Sequence, residues 1–499
     1  MRYFGVKLFK KVKEWPWKYA GFFLLTILFF SFTVVITFDG GHYLNYVAIF
    51  EKELPSSTWD IVRGPVFPVI IFLSDKLFGK TSTGILVGMY VFYIIFVYLC
   101  YVFGKKMTAG MKHQKLILII LISVLILNPL IFGFFHVLLT EFVALPMTLI
   151  NIYVSYKWIL ADRNNAKKML IYAAYFSVAL AFCYHLKQPY LTVSLFPFGI
   201  AALIARLRDK KWKNVAWRAG TIVVNLAFLG GTMLVWNKLL VKMHTDTTTG
   251  RDSSSMFGMQ LLNTAQIPLD VDGDGEKDTV STGQAFGLIT QKLVNHPGEL
   301  IKIYLQNYCG LTSMCKIVTE NGVDFFSTGE IAWFSMFENF IIGYQPYRDS
   351  DGISQMPAGQ YERALKYQSN IDRGSFATVM YWLEKPTTML FKIAMVGYPF
   401  VLIWLIIKRK KDNEHKQEDL FYMSLMLLLA SAAHLLVSGF ALGLIIDRYA
   451  IEAFAPILLG AFGTYRYNTY VATLKGKAKK AAITVSIKTK TTRDGAKKI

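Results

Sequence analysis

The stretch Thr83–Gly104 reads TGILVGMYVFYIIFVYLCYVFG, contains no charged residue, and is followed directly by Lys105 and Lys106. A helix of roughly 20 residues rises about 30 Å, the thickness of a bilayer's hydrocarbon core, and the lysine pair marks where such a helix meets the headgroups. The same pattern, an apolar run bounded by Lys/Arg clusters, recurs along the chain. It predicts ten helices, near residues 19–38, 83–104, 116–135, 142–161, 167–186, 188–205, 218–240, 387–407, 419–439 and 445–465. The whole composition agrees: 499 residues are 54% hydrophobic and only 17% charged, with a mean hydropathy of +0.38, whereas soluble chains carry about 25% charge. Disorder, a secreted disulfide scaffold and a soluble nucleic-acid binder are excluded. The expected fold is an all-α polytopic membrane protein.

The first run follows Lys7, Lys10, Lys11, Lys13 and Lys18 in the manner of a signal sequence. It is long, and no small-residue cleavage site precedes Asp39, so it reads as an uncleaved anchor. Ten spans would put the N-terminus, the loops near 105–115, 157–168, 206–218 and 408–419, and the tail from 466 on one side. Those segments hold 35 of the 54 Lys and Arg but eight of the 33 Asp and Glu. The formal charge of +21 then divides into +27 on that side and −6 elsewhere. The positive-inside rule makes the basic side cytoplasmic, with both termini there. The basic tail is better matched to anionic membrane lipid than to nucleic acid.

Four segments follow: an N-terminal transmembrane module, 1–240, with a first outer loop at 39–82; an extracytoplasmic loop or small α-rich domain, 241–384; C-terminal transmembrane helices, 385–466; and a basic cytoplasmic tail, 467–499. Within the first outer loop, Pro65–Phe78 is apolar but short and carries Asp75 and Lys76, so it should lie along the interface. In the second, Gly298–Tyr308 has helical patterning. Of the four cysteines, Cys100 and Cys183 sit in apolar runs, and only Cys309 and Cys315 lie where an oxidised pair could form.

Charged side chains at membrane helix ends are costly and ask for a partner or a task. Asp39, Glu141, Lys187, Lys392, Asp447, Arg448 and Glu452 come from five places in the chain, yet all fall at the outer ends of the predicted spans. Each alone has a plain structural explanation: Lys187 can snorkel, Asp447 can pair with Arg448, and Glu141 can cap its helix through Thr140. Together they suggest a charged pocket on the outer face.

These residues also carry a family pattern. Asp39-Gly-Gly-His-Tyr43, Arg63-Gly-Pro65-Val-Phe-Pro68, Leu139-Thr-Glu141 and Arg448-Tyr449 with Pro456 resemble the GT-C class of integral-membrane glycosyltransferases. The likeness is to the group of bacterial protein O-mannosyltransferases and aminoarabinose transferases, over roughly 39–210 and more loosely 385–465. In the large loop it extends only to Asn295-His-Pro297. The resemblance implies a hexosyl- or pentosyltransferase that moves a sugar from a polyprenyl-phosphate carrier to a glycan, lipid or protein acceptor, with inversion at the anomeric carbon. Asp39 matches the general base and Glu141 the second acid, which orients the acceptor or helps hold a divalent metal. Arg63, Lys187, Lys392, Arg448 and Tyr449 are the candidate substrate contacts, Arg448 foremost because its planar fork binds phosphate in bidentate fashion. No Gly-rich phosphate loop or large cytoplasmic domain is present for a nucleotide sugar, which agrees with a lipid-borne donor.

One further motif stands apart. Asp270, Asp272, Asp274, Glu276 and Asp278 surround Gly275 in the spacing of a calcium loop, with Ser281 where an EF-hand has its bidentate Glu. The run is either a weak structural calcium clip or an acidic loop held by Asx-turns. His42, His136 and His185 follow no metal-ligand spacing and read as surface or packing residues. A transporter or flippase of lipid-linked sugars, and a glycan polymerase or ligase, are the alternative functions.

Overall fold

A computed structural model of the chain describes residues 20–32, 34, 36, 38–59, 63–161, 166–208, 212–243, 261–262, 265–268, 280–311, 315–318, 322–325, 375–410, 418–440 and 450–470. The described helices are α1 (Ala20–Phe30), α2 (Phe38–Phe50), α3 (Val66–Phe78), α4 (Ser82–Met107), α5 (Gln114–Ile126), α6 (Pro129–Phe134), α7 (Glu141–Leu160), α8 (Ala166–Leu186), α9 (Leu191–Arg208) and α10 (Trp212–Met243). They continue with α11 (Thr282–Asn295), α12 (Pro297–Leu311), α13 (Ser375–Lys410), α14 (Glu418–Phe440) and α15 (451–470). A two-stranded antiparallel hairpin, β1 (Cys315–Val318) and β2 (Gly322–Phe325), pairs Cys315 with Phe325.

Among the described residues, seven helices are long and apolar enough to cross a membrane: Ser82–Met107, Glu141–Leu160, Lys168–Leu186, Gln188–Arg206, Ala219–Met243, Pro386–Arg409 and Glu418–Ser438. The other three predicted spans take different forms. Near 19–38, α1 ends at Phe30 and α2 starts at Phe38. The Phe29 carbonyl, close to that end, accepts a hydrogen bond from the His136 ring at 2.9 Å, which satisfies a helix-terminal group. Near 116–135, the chain breaks at Asn128-Pro129. Proline disfavours helix in the residue before it, and Asn128 Oδ1 instead accepts from the Leu130 N–H at 3.1 Å to start α6. Near 445–465, the described helix is 451–470 and runs on through Arg466.

Burial separates the spans into two classes. The apolar windows of α7 and α14 are 67% and 72% buried inside the protein, whereas those of α10 and α13 are 11% and 22% buried. The first pair therefore forms the bundle centre, with α9 packed between them, and the second pair leaves most of its apolar surface uncovered by protein. Tight aromatic packing fills the interior: Trp158 stacks on Phe198 at 5.2 Å, and Phe29, Tyr93, Phe132 and His136 cluster around the end of α1.

Helix α3 covers the short apolar segment 65–78. It buries Phe67 and Ile71 against the bundle while Val69, Leu73 and Leu77 stay exposed, so both its faces are apolar. In the large loop, α12 covers the predicted helical patch 298–308 and packs on α14. Lys292 of α11 is bonded to the carbonyls of Ala265 and Gln266 and paired with Glu299 at 3.0 Å. A small core of Leu261, Leu262, Val280 and Ala285 ties this segment together. The backbone of Cys309 lies in α12 and that of Cys315 opens β1; their side chains, and so their pairing, lie outside the described residues.

Candidate active site

Two glycines bring the separated motif segments into backbone contact. A Cβ on Gly40 would sit 2.7 Å from the Leu138 carbonyl oxygen, and one on Gly64 would sit 1.9 Å from the carbonyl oxygen of His185. Only glycine permits either approach. The first turn of α2 is thereby seated against the segment that leads into Glu141, and the Arg63 loop against the end of α8, two residues before Lys187. The Asp39 backbone belongs to that first turn of α2; its side chain lies outside the described residues. Arg63 is fixed from the same helix. Its guanidinium donates to the Tyr43 hydroxyl at 3.0 Å and lies over the Tyr43 ring at 5.2 Å, while its own carbonyl accepts from Trp59 Nε1 at 2.8 Å.

Glu141 opens α7 with its side chain fully buried. The expectation that Thr140 caps this helix needs correction. Thr140 has helical backbone angles and makes no capping bond; its hydroxyl lies 3.3 Å from the Glu141 carboxylate, which it serves as a donor, and 3.4 Å from the Tyr190 hydroxyl. The Thr140 hydroxyl thus supports a buried charge rather than the helix end. A second carboxylate, Glu452 in α15, is also 0% exposed, and it interacts electrostatically with Glu141, Tyr190 and Lys187. The Tyr190 hydroxyl donates toward it without reaching full hydrogen-bonding geometry. His434 of α14 faces it with Nε2 at 3.9 Å, and the His434 Nδ1 lies 2.8 Å from the Thr192 hydroxyl of α9.

Of the sequence-predicted site residues, the structure therefore brings Glu141 and Lys187 together and adds Glu452. Lys392 is half-buried on α13, next to Phe391, whose ring packs on Phe454 two residues beyond Glu452. Arg448, Tyr449 and Asp447 lie outside the described residues, as do Asp270, Asp272, Asp274, Glu276 and Asp278. Ser281, the twelfth position of that acidic loop, is described. It forms a capping box with Gln284 at the start of α11, so its hydroxyl is committed to the helix. His434, Tyr190 and Thr192 escaped the sequence reading. A histidine and a threonine inside apolar runs were the available signals, but nothing in the sequence pairs residues 192 and 434.

Beside this cluster lies a cavity of about 500 Å³ between the Arg63 loop, the end of α8 and α10. Pro65, His185, Phe228, Val235, Trp236 and Leu239 line it, so it is almost wholly apolar with one imidazole at its rim. Trp236 also meets Trp59 edge to face at 5.6 Å. His136 is buried with a backbone carbonyl beside each ring nitrogen, one of which takes its single ring proton, a packing role. Among the described residues, no group of three or more His, Cys, Asp or Glu is arranged to hold a metal ion. Compared with models of protein families, with curated proteins and with solved structures, the chain shows no match.

Proposed function

We propose that the protein is a GT-C-type glycosyltransferase that moves a sugar from a polyprenyl-phosphate carrier to an acceptor hydroxyl or amine at the outer face of a bacterial plasma membrane. In this reading the chain makes about ten passes with both termini in the cytoplasm. The observation that carries it is the convergence of Glu141, Lys187 and Glu452 from distant parts of the chain, beside an apolar cavity walled by a lipid-facing helix. Such a place suits a substrate with a long hydrocarbon tail and a phosphate head. Asp39 is assigned as the general base that takes the acceptor proton as its oxygen or nitrogen attacks the anomeric carbon. The bond to the carrier breaks with its electron pair leaving on phosphate, where Lys187, Arg63 and Arg448 offset the developing charge. A divalent metal bound with the help of Glu141 would add to that stabilisation.

The test is to supply purified protein with lipid-linked sugars and acceptor extracts and to compare it with Asp39→Asn. Transfer should be abolished while the melting temperature is kept, and unchanged turnover would remove Asp39 from the mechanism. The acidic loop belongs to the same reading as a calcium clip in the outer segment. Chelation of calcium should lower the melting temperature, and Asp272→Ala should erase that sensitivity.

One observation favours a second reading. Buried carboxylates and a histidine inside membrane helices are also what a proton-linked transporter or flippase of lipid-linked sugars would carry. Movement of the intact carrier across vesicles without sugar transfer would establish that alternative.

A further inference from the structure

Phe228, Thr232, Val235 and Leu239 follow one another at intervals of three and four residues, so they share a face of α10 and line the cavity for about 16 Å along that helix. Phe228, Val235 and Leu239 stay exposed, on a helix that is long and apolar enough to cross a membrane and little covered by protein. The cavity is thus a trough open on its side. Its length fits an extended hydrocarbon chain, and its volume of about 500 Å³ is that of a small-molecule site. The Thr232 hydroxyl is committed to the Leu229 carbonyl at 2.8 Å, and none of the described lining residues is an acid, a lysine or an arginine. His185 is the exception to this bland wall. It is 9% exposed, its backbone is fixed by the close approach of Gly64, and its ring is held edge to face by Tyr184 at 5.1 Å and by Trp236 at 6.2 Å. Rings hold it, and hydrogen bonds do not. Nδ1 is buried with no partner among the described residues, and no described residue bonds Nε2, the nitrogen left to meet a ligand in the trough. An imidazole fixed in apolar surroundings with nothing to bond is costly until something polar joins it.

We propose that this trough is a binding site for a lipid alcohol, with one hydrocarbon chain along α10 and an uncharged hydroxyl head bonded to His185 Nε2. A hydroxyl both donates and accepts, so it satisfies Nε2 in either tautomer, which an ether or a carbonyl cannot do. Hydrocarbon alone leaves the imidazole unpaired. A phosphate head is a poor occupant, because its charge would be buried among apolar side chains with a single imidazole to meet it. The trough is therefore distinct from the contacts assigned above to the carrier phosphate: neither Lys187 nor Arg63 is among the residues that line it. Straight-chain and isoprenoid alcohols share the chemistry that the site recognises. Neither the trough nor its head-group partner depends on whether the chain transfers sugars.

Trp236 lines the trough and reports on its occupant. The full chain in nanodiscs is titrated with a brominated long-chain alcohol, which quenches tryptophan on contact, and with the same chain ending in methyl or in phosphate. The chain has 10 tryptophans, so the Trp236 signal is taken as the difference between the native protein and Trp236→Phe. Quenching by the alcohol should saturate at about a tenfold lower mole fraction than by the methyl-ended chain, the worth of one hydrogen bond to an otherwise unpaired buried group. His185→Phe keeps a ring in place and should abolish that preference. Gly231→Leu should abolish quenching of Trp236 by every chain: Gly231 lines the trough and an added Cβ there meets nothing within 4 Å, so the larger side chain fills the space without a backbone clash. Unbrominated straight-chain and isoprenoid alcohols then compete for the site, and the stronger competitor identifies the source. Equal binding of the alcohol and the methyl-ended chain, tighter binding of the phosphate-ended chain, or a preference that survives in His185→Phe would each overturn the proposal. Should His185→Phe fail to fold, nitrogen NMR of labelled histidine in the native chain decides. The His185 resonances should move with the alcohol and not with the methyl-ended chain, and no movement sinks the assignment. None of these measurements needs turnover, so a failed transfer assay would leave them untouched.

Discussion

The two ends of the helix bundle handle charge in opposite ways. At the end where α4 finishes and α14 begins, every cation with described partners has a cheap one. Lys106 donates to the Tyr156 hydroxyl at 2.8 Å, lies over its ring at 4.8 Å and reaches Asp419 at 3.9 Å. Arg409 pairs with Glu418 at 3.2 Å and stands over Phe421 at 4.9 Å, and Arg466 donates to the Ala109 carbonyl at 3.1 Å. Long cationic side chains at a membrane interface need no more than this, because their stems pack on apolar surface while their heads stay wet. At the opposite end, Glu141 and Glu452 are short, acidic and wholly buried, and they repel one another. A carboxylate there has no way to snorkel. The charge excess that dominates the sequence is thus the inexpensive part of the molecule, and the few buried acids are where free energy is spent on something other than insertion.

Removing one charge from each end should separate the two roles. In the proposed enzyme, Glu141→Gln is expected to cut sugar transfer by about 100-fold, the usual cost of misplacing a reacting group, with the protein still folded. Lys106→Gln should leave transfer within a factor of about two, since it loses only an interfacial contact of about 1 kcal/mol. Equal losses in a transfer assay would mean that the basic end belongs to the site. A smaller effect is expected from the backbone that builds the acidic end. Gly64→Ala forces a methyl group into the His185 carbonyl, which cannot rotate away, and should destabilise by about 1–3 kcal/mol. Gly220→Ala, whose added Cβ meets nothing within 4 Å, serves as the control and should melt at or slightly above the native temperature. Identical melting curves for the two variants would refute the close approach.

The basic end was legible in the sequence and the acidic end only in part, for a physical reason. Insertion imposes a one-dimensional pattern, apolar runs with lysines after them, so Lys105, Lys106 and Lys157 announce themselves by position. The same rule read seven spans well, and it did not see that the run near 116–135 is divided at Asn128-Pro129, a break visible in the residues but outweighed by their hydrophobicity. Glu141 and Lys187 could be marked because a charge in an apolar run is costly wherever it points. Their convergence with Glu452 and His434 depends on how α7, α9, α14 and α15 pack, and no local spacing encodes that. Thr192 shows the limit most plainly, since a threonine in an apolar helix looks like filler until the His434 ring is found beside it.

The weakest test concerns the ion pairs beside α3, on the acidic end but partly exposed. Glu51 is bonded to Lys80 and lies 3.3 Å from Lys76, and Lys80 also meets Glu53 at 3.1 Å. Partial burial pushes the Glu51 carboxyl up, but the two lysines outweigh it and hold the group below its ordinary value of 4.5. Burial likewise pushes Lys80 down, and Glu51 and Glu53 outweigh that and hold it above 10.5. The signs follow. Glu51 contributes stability that is present above 4.5 and lost as pH falls through its lowered value. Lys80 contributes stability that is present below 10.5 and lost as pH rises through its raised value. Between those limits the pair stays intact, so thermal stability from this corner should be flat across neutral pH. Lys80 is 44% exposed, which leaves Lys80→Gln a cost of at most about 1 kcal/mol. Added salt should shrink that cost. A cost that salt leaves unchanged would take these ion pairs out of contact with water and erase the contrast with the dry carboxylates at this end.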